Sequence, residues 1–502
     1  MILQKLIQII LFGTFVLSAG ITNASYDFNP RCQEAYLSIF ELNFDHALEL
    51  IDQERISNPN NHITLYLENN IDFVNLLITN DIKEYQKRSE AWESRINKLG
   101  DLTETSPYYK TCLAECKLQR AVVHINQREF FYGILELNRA YRLLVENAET
   151  HPEFIPNQLY LGMLHAIFGA VPENYKWGIE LLNFEGDITK GISEVEMVID
   201  AANRLQEYSH LRYSGILMFT FLKINYQSEL LPDENLLNTY AQLIQDKPSP
   251  MLMYAYCKFM LAQNDNDHVL DLLENYQQNT LPRIHNLDLI HGMALLRKLD
   301  SSADAFLEKF ITNHKGKNYK KQAIRFKAWS GLIQGDTSSY IRNMNRCLII
   351  GNEFIDQDKA ALREAESKKI PNVPLLKARL LFDGGYYKQA KTLLNNTPLE
   401  AFTPDELLDY TYRLGRIYHQ MGQIDKAIEN YKLTIKNGSL SETYYAANSA
   451  LKLGAIYEKM GQYDQAVEYY ELARNMNNIE YKSSINHKAK VGIKRIDSLG
   501  KG

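Results

Sequence analysis

The side chains of this chain that could do chemistry do not stand at the spacings that catalytic sites use. The sequence holds no G-x-S-x-G nucleophile elbow, no G-x4-G-K-S/T phosphate loop and no H-E-x-x-H zinc helix. Its 12 histidines lie without metal-ligand spacing, and none accompanies the neighbouring thiols of Cys112 and Cys116. We therefore predict no catalytic residue, no cofactor and no metal ion, and we expect a protein that is not an enzyme.

Two polar segments suggest ion binding, and each also has a simpler interpretation. Asn264–His268 reads N-D-N-D-H and offers oxygen ligands for calcium, but it lacks the loop glycine and the distal glutamate of an EF-hand. Turn and helix N-cap roles explain its Asn and Asp residues better. The basic stretch His314–Lys327 has a glycine-containing loop before a helix start, where an anion could bind. A solvated helix face with a turn is the interpretation that we favour.

Composition narrows the class of protein further. With 45% hydrophobic and 23% charged residues, the chain should fold. Its 25 glycines and 14 prolines are few for 502 residues, which argues against a β-sandwich or a collagen-like chain. The balance of 55 basic against 61 acidic residues gives a net charge of −6, so we expect no nucleic acid among its partners. Five cysteines are too few for a disulfide scaffold of this size.

The first 24 residues have the pattern of a cleaved secretory signal peptide. Lys5 precedes an apolar run, Leu6–Ala19, and Thr22–Ala24 forms a small-residue cleavage site. A membrane anchor is the alternative, but the run falls short of the ~20 residues that span a bilayer. We expect an exported protein, periplasmic or associated with the cell envelope, without stable membrane insertion after signal cleavage.

Two segments near the C-terminus repeat one spacing of small and aromatic residues. A glycine is followed by an alanine 12 residues later and by a tyrosine 4 residues after that. The two sets are Gly415, Ala427 and Tyr431, and Gly454, Ala466 and Tyr470. Small residues let two antiparallel helices cross closely, while the aromatic ring fills the space beside the crossing. A short Met-Gly-Gln turn joins the two predicted helices in each copy.

This pattern resembles the tetratricopeptide repeat, with L-G-x2-Y on the first helix and A-x3-Y on the second. Thr411 replaces the family's initial Trp, and Ser439 replaces its helix-ending Pro. The two glycines lie 39 residues apart (454 − 415), against about 34 in the family. The resemblance implies stacked pairs of antiparallel helices.

Weaker copies of the same spacing recur along the chain, and they extend the prediction to an all-α fold, an α-α superhelix of tetratricopeptide type. The predicted divisions are 1–24 (signal peptide), 25–365 (degenerate repeats) and 366–502 (regular repeats with a C-terminal capping helix). The weaker copies are Ala378, Ala390 and Leu394; Ala35, Ala47 and Ile51; Ala121, Gly133 and Leu137; and His291, Ala303 and Leu307.

The middle of the chain is similar to a wider group. The segments Gly162–His165, Val171–Trp177 and Phe184–Ile192 combine a Pro-containing turn, a short apolar helix and an F-x-G-D-x3-G loop. They resemble the tetratricopeptide proteins of the eukaryotic inclusion-body-clearance type and their bacterial exported relatives. The resemblance brings no catalytic residue. Because the eukaryotic members are intracellular, it implies no particular cellular role for a chain with a signal peptide.

If the repeats stack as the resemblance implies, first-helix residues line an inner groove that suits an extended peptide or a partner helix. The carboxylate-clamp pattern of chaperone-binding repeats is not met. We predict an exported scaffold that binds another protein or peptide. The alternative is a helical-repeat protein of the nutrient-uptake type that binds a glycan or another small molecule. The predicted groove residues are Tyr412, Arg416, His419, Asn448, Lys452 and Glu458.

Overall fold

A computed structural model describes residues 26–100, 105–171, 176–226, 233–246, 249–276, 284–477 and 480–499. Within these ranges the secondary structure is helical, with no β-strand. The predicted signal peptide, residues 1–24, lies outside them. Among the described residues, no helix is both long enough and apolar enough to cross a membrane. The predicted all-α fold class is confirmed.

The described residues form two compact units, one within Met1–Tyr256 and Gln278–Ile284, the other within Cys257–Gln277 and His285–Gly502. We call them unit 1 and unit 2. The predicted division between residues 365 and 366 stays a prediction. The helices of unit 1 are α1 (Pro30–Phe40), α2 (Phe44–Ser57), α3 (Ile63–Thr79), α4 (Ile82–Gly100), α5 (Pro107–Asn126), α6 (Phe130–Thr150), α7 (Pro156–Gly169), α8 (Lys176–Leu181), α9 (Ile188–Arg204), α10 (Leu211–Tyr226) and α11 (Glu234–Asp246).

Helix α12 (Pro250–Ala262) contributes residues to both units. Short 3₁₀ turns, Gln206–Tyr208 in unit 1 and Leu399–Ala401 in unit 2, complete the regular structure. The remaining helices of unit 2 are α13 (Asn266–Asn275), α14 (His285–Arg297), α15 (Ala303–Asn313), α16 (Lys320–Ile333), α17 (Thr337–Ile349), α18 (Asp356–Ser367), α19 (Val373–Asp383), α20 (Tyr387–Asn395), α21 (Pro404–Gln420), α22 (Ile424–Gly438), α23 (Tyr445–Lys459), α24 (Tyr463–Asn475) and α25 (Lys482–Leu499).

All six copies of the small-residue spacing fall on pairs of helices that pack against each other. The pairs are α1–α2, α5–α6, α14–α15, α19–α20, α21–α22 and α23–α24. In unit 2, α21 and α23 are the first helices of their pairs, and they also pack against each other, as stacked repeats require.

The C-terminal pairs show why the spacing needs glycine. A Cβ atom added at Gly454 would lie 2.6 Å from the ring of Tyr470, and one at Gly415 would lie 2.7 Å from the ring of Tyr431. Both rings are buried, with at most 2% of the residue exposed. The tyrosine therefore packs directly on the backbone of the facing helix, and no larger residue fits there without displacing it.

The turns inside the helix pairs share one backbone geometry. After α21, the Gly422 amide bonds to the His419 carbonyl and the Gln423 amide to the Tyr418 carbonyl, at 3.1 and 2.9 Å. This is a Schellman motif, with Gly422 in the left-handed region at φ +73°. The same two-bond turn with one positive φ recurs in several other pairs; its left-handed residues there are Leu42, Arg128, Asn264, Leu299, Gly335, Gly385 and Gly461.

The last helix, α25, covers the final pair. It packs on both α23 and α24. Ile485, Ala489 and Ile496 are buried in the same apolar cluster as Tyr470, and Ile493 packs against that cluster. A terminal helix of this kind gives the last repeat a solvated outer surface.

Candidate functional site

The predicted groove residues lie on α21 and α23, the first helices of the two C-terminal pairs. Three of them come together. Asn448 Nδ2 donates a hydrogen bond of 2.7 Å to the Tyr412 hydroxyl, and the Arg416 guanidinium lies 5.8 Å from the Tyr412 ring centroid. Tyr412 is 2% exposed and Arg416 is half-buried. Tyr412 therefore supports the surface, and Arg416 is the group that a partner can reach.

The other three predicted residues have different surroundings. His419 lies edge-on to the ring of Tyr431, the aromatic residue of its own repeat. Lys452 is half-buried on α23. Glu458 accepts a hydrogen bond of 2.6 Å from the Tyr470 hydroxyl and pairs with Arg495 of α25. The hydrogen bond from Arg495 lowers the pKa of Glu458. As partner contacts, these three positions stay predictions.

A buried ion pair stands next to the reachable arginine. Arg413 Nη2 lies 2.9 Å from Asp409 Oδ2, one helical turn away on α21, and both residues are 8% exposed. Burial alone would lower the pKa of Arg413, but the Asp409 carboxylate outweighs it, so the pKa is raised. Asp409 Oδ1 and Arg413 Nε are buried without a hydrogen-bond partner. Arg413 therefore stays charged beneath the surface of α21.

The preceding first helix adds two residues that the sequence did not single out. Phe382 of α19 lies beneath Arg416, whose guanidinium is 4.0 Å from the ring centroid. Arg379, one turn before Phe382, has a side chain that is 42% exposed. The sequence could have pointed to Arg379, because it directly follows the small residue at its helix crossing, Ala378, as Arg416 follows Gly415. We call Arg379, Phe382, Tyr412, Arg416 and Asn448 the first-helix face.

Unit 1 contains a cluster of hydrogen-bonded polar side chains of another kind, and this cluster is buried. The carboxyl of Glu115 accepts hydrogen bonds from the hydroxyls of Tyr66 and Tyr160 and from Gln119 Nε2. Burial raises the pKa of Glu115 to about 7, and these hydrogen bonds oppose the rise. Glu115, Tyr66 and Tyr160 are at most 6% exposed. The cluster thus holds helices α3, α5 and α7 together and offers no surface to a substrate.

The segment that carries the wider resemblance builds a close helix crossing in unit 1. A Cβ atom at Gly162 of α7 would lie 2.7 Å from the Gly191 carbonyl oxygen of α9. Asp187 caps α9, since its side chain accepts from the Lys190 amide. His165 Nδ1 lies 2.6 Å from Glu194 Oε2 across the same crossing. These contacts give the glycines and the loop a packing role.

The two segments with ion-binding potential serve the packing of helices. Asp265 is the N-cap of α13, and the neighbouring Asp267 pairs with Lys298 at 3.0 Å. In the basic stretch, Lys321 Nζ donates to the Cys347 carbonyl at 2.5 Å, and Lys327 pairs with Asp304 at 2.5 Å. In the part of the chain that the structure describes, no cluster of three or more His, Cys, Asp or Glu residues is suited to a metal ion.

Comparison with known proteins agrees with the C-terminal geometry. The family model for the tetratricopeptide repeat matches residues 406–478, which hold the two glycine–tyrosine crossings. This part of the chain has the sequence pattern of tetratricopeptide repeats. No curated protein matches the chain.

Among solved structures, the chain is similar to one in the crystal structure of the APC/C hetero-tetramer Cut9-Hcn1. The match has 12% sequence identity, covers 92% of this chain and 95% of that chain, and has a TM-score of 0.28. The assignment of tetratricopeptide repeats therefore rests on the family match and on the helix pairs themselves.

Proposed function

We propose that this protein is a non-enzymatic, exported scaffold that binds another protein through its tetratricopeptide repeats. The observation that supports it best is the first-helix face. Arg416 lies there on the rings of Phe382 and Tyr412, at 4.0 and 5.8 Å, within reach of a partner. A cation held on aromatic rings loses little side-chain entropy on binding, and such residues are common at the centres of protein interfaces.

The exported setting is supported by residues 1–24, whose charge, apolar run and cleavage pattern are those of a signal peptide. A periplasmic or envelope location follows from it. Cell fractionation combined with mass spectrometry of the intact chain tests this part. We expect a chain that begins at Ser25 in the exported fraction. A chain that retains Met1, whether in the cytoplasm or anchored in the membrane, would contradict it.

The relationship of residues 162–192 to exported relatives of the inclusion-body-clearance type belongs to the same proposal. It is supported by the F-x-G-D loop, in which Asp187 opens α9. It carries over no cellular role, since the eukaryotic members of that group are intracellular.

Affinity capture of the mature chain from envelope extracts tests the scaffold. We expect a reproducible protein partner that the double variant Arg416→Glu, Lys452→Glu no longer retains. The control is Arg342→Glu on α17, on a side chain that is 68% exposed; it reverses one charge and is compared with each single variant, Arg416→Glu and Lys452→Glu. Retention of a soluble glycan with no protein partner would overturn the proposal in favour of a ligand-binding protein.

A further inference from the structure

Two first helices of unit 2, α16 and α19, bring arginines together around one indole ring. Trp329 of α16 has the Arg325 guanidinium at 4.7 Å and the Arg379 guanidinium at 5.0 Å from its ring centroid. Its indole Nε1 donates to Glu364 Oε1 at 2.7 Å, which fixes the ring. Two cations share one aromatic residue here, and each is attracted to the ring while repelling the other.

The carboxylates beside these arginines lie at the limit of ion pairing. Arg325 is 3.8 Å from Glu364, and Arg379 is 3.9 Å from Asp383. Arg416 is held by aromatic rings, with no carboxylate partner among the described residues. We call Arg325, Arg379 and Arg416, together with Arg297 of α14, the arginine cluster.

Donors of this cluster are left without acceptors. Nη1 of Arg297 and Nε of Arg325 are buried with no hydrogen-bond partner, and Arg325 is only 7% exposed. Burial and the like charge of Arg379 lower the pKa of Arg325 to about 10. Burial also lowers the pKa of Arg297. The buried positive charge of Arg297 and Arg325 favours the approach of an anion to the accessible arginines beside them.

We propose that the arginine cluster binds the carboxylates of an acidic segment of the partner protein, with Arg379 and Arg416 making the direct contacts. This rests on the proposed function and names the chemistry of the partner. Arg379 and Arg416 are the accessible members, and the buried arginines strengthen the positive potential beneath them. The buried rings of Trp329, Phe382 and Tyr412 hold the guanidinium groups in place from below. Nucleic acid is disfavoured because it needs a wider basic surface than four arginines provide.

The fold also sets the spacing of the carboxylates. Arg379 and Arg416 lie on α19 and α21, which pack directly against each other. Packed helices lie about 8–10 Å apart, and an extended peptide advances about 3.3 Å per residue. Acidic residues three positions apart would therefore meet the two arginines together.

The test is fluorescence anisotropy with the full mature chain and a labelled ten-residue peptide. The peptide carries two glutamates three positions apart on a Gly/Ser background, and a second peptide carries glutamines there. We expect the glutamate peptide to bind, with affinity that falls as salt rises, and the glutamine peptide to bind at least about tenfold more weakly. Equal binding of the two peptides, or tighter binding of phosphate or a single-stranded oligonucleotide, would overturn the proposal.

Variants locate the contact. Arg379→Gln and Arg416→Gln should each lower the affinity for the glutamate peptide about tenfold. Arg342→Gln should leave that affinity within about twofold of the native value. Arg416→Lys keeps the charge without the planar fork, and we expect an intermediate loss. Circular dichroism shows whether each variant is folded. If a protein partner is captured but Arg379→Gln and Arg416→Gln retain it fully, the scaffold stands and the arginine cluster is not its contact.

Discussion

The C-terminal repeats and the polar cluster of unit 1 hold helix pairs together in different ways. At the crossing of α23 and α24, an apolar contact decides the geometry, because the Tyr470 ring packs on the backbone of Gly454. Between α3, α5 and α7, a buried carboxyl and two phenols decide it, because Glu115 accepts from Tyr66 and Tyr160. The first kind of contact needs particular residue sizes, and the second needs partners for every polar group.

This difference explains why the repeat spacing is regular in the C-terminal region and degenerate in unit 1. A glycine facing an aromatic ring fixes two positions in each helix pair, so the spacing survives in the sequence. A hydrogen-bonded cluster can be assembled from several residue types at several positions, so it leaves no fixed spacing. It should instead leave a pH dependence of stability, because the pKa of the buried Glu115 is raised.

The largest expected effect concerns Glu115, whose pKa is raised from 4.5 to about 7 in the folded chain. When the pKa of a carboxyl is higher in the folded than in the unfolded state, its contribution to stability is fully present at pH below the unfolded-state pKa. This contribution is lost as the pH rises through the folded-state pKa. Glu115→Gln removes this loss. From pH 4.5 to pH 7.5, the variant should gain about 3 kcal/mol in free energy of unfolding relative to the native chain.

Urea unfolding of both full-length proteins at several pH values measures that gain. Glu54→Gln is the matched control in unit 1. Burial of Glu54 acts to raise its pKa, but hydrogen bonds from Asn61 and Asn58 outweigh it and the pKa is lowered. Its contribution is therefore present at neutral pH and lost as pH falls, the opposite sign. Parallel pH profiles for Glu115→Gln and the native chain would show that the cluster does not titrate in this way.

The second effect concerns space at the C-terminal crossing. Gly454→Ala places a methyl group 2.6 Å from the Tyr470 ring and should cost about 2 kcal/mol in free energy of unfolding. In a Tyr470→Leu background the ring is gone, and the better helix propensity of Ala should make the same change stabilising by up to about 1 kcal/mol. A double-mutant cycle measured by thermal unfolding tests this. Equal costs in the two backgrounds would rule out the ring as the cause.

The smallest expected effect compares two glycines of one repeat, one that is needed for lack of space and one that is needed for its backbone conformation. Gly461 has φ +73° and nothing within 4 Å of an added Cβ. Gly461→Ala should cost about 1 kcal/mol through the left-handed conformation alone. Gly461→Asn should recover most of that loss, because Asn tolerates this region. At Gly454, Asn should cost more than Ala because it is larger. The reverse order at either position would show that the two glycines do not have these separate roles.

The sequence predicted the helix pairs wherever small residues recur at the crossing. It did not predict the turns at Leu42, Arg128 and Leu299, because a Schellman motif fixes φ through backbone hydrogen bonds and does not demand glycine. The Glu115 cluster was missed because its partners come from helices that are distant in the sequence.

The first-helix face was predicted in part. Tyr412, Arg416 and Asn448 were named from the resemblance to tetratricopeptide repeats, and they lie together in the structure. As partner contacts they stay predictions. The contact between Trp329 and Arg379 was missed because the pair α16–α17 breaks the rule: Ala328 is followed 12 residues later by Tyr340, which is not small. Only the packing of α16 against α19 brings them together.

The central claim, that the first-helix face contacts a protein partner, is tested most directly by photo-crosslinking in cells that produce the protein. A benzoylphenylalanine replaces Arg416 on the first helix α21 in one variant and the exposed Glu429 on the second helix α22 in the other. We predict a discrete protein adduct from position 416 and none from position 429. An adduct from position 429 alone, or none from position 416 in a folded chain, would contradict the claim.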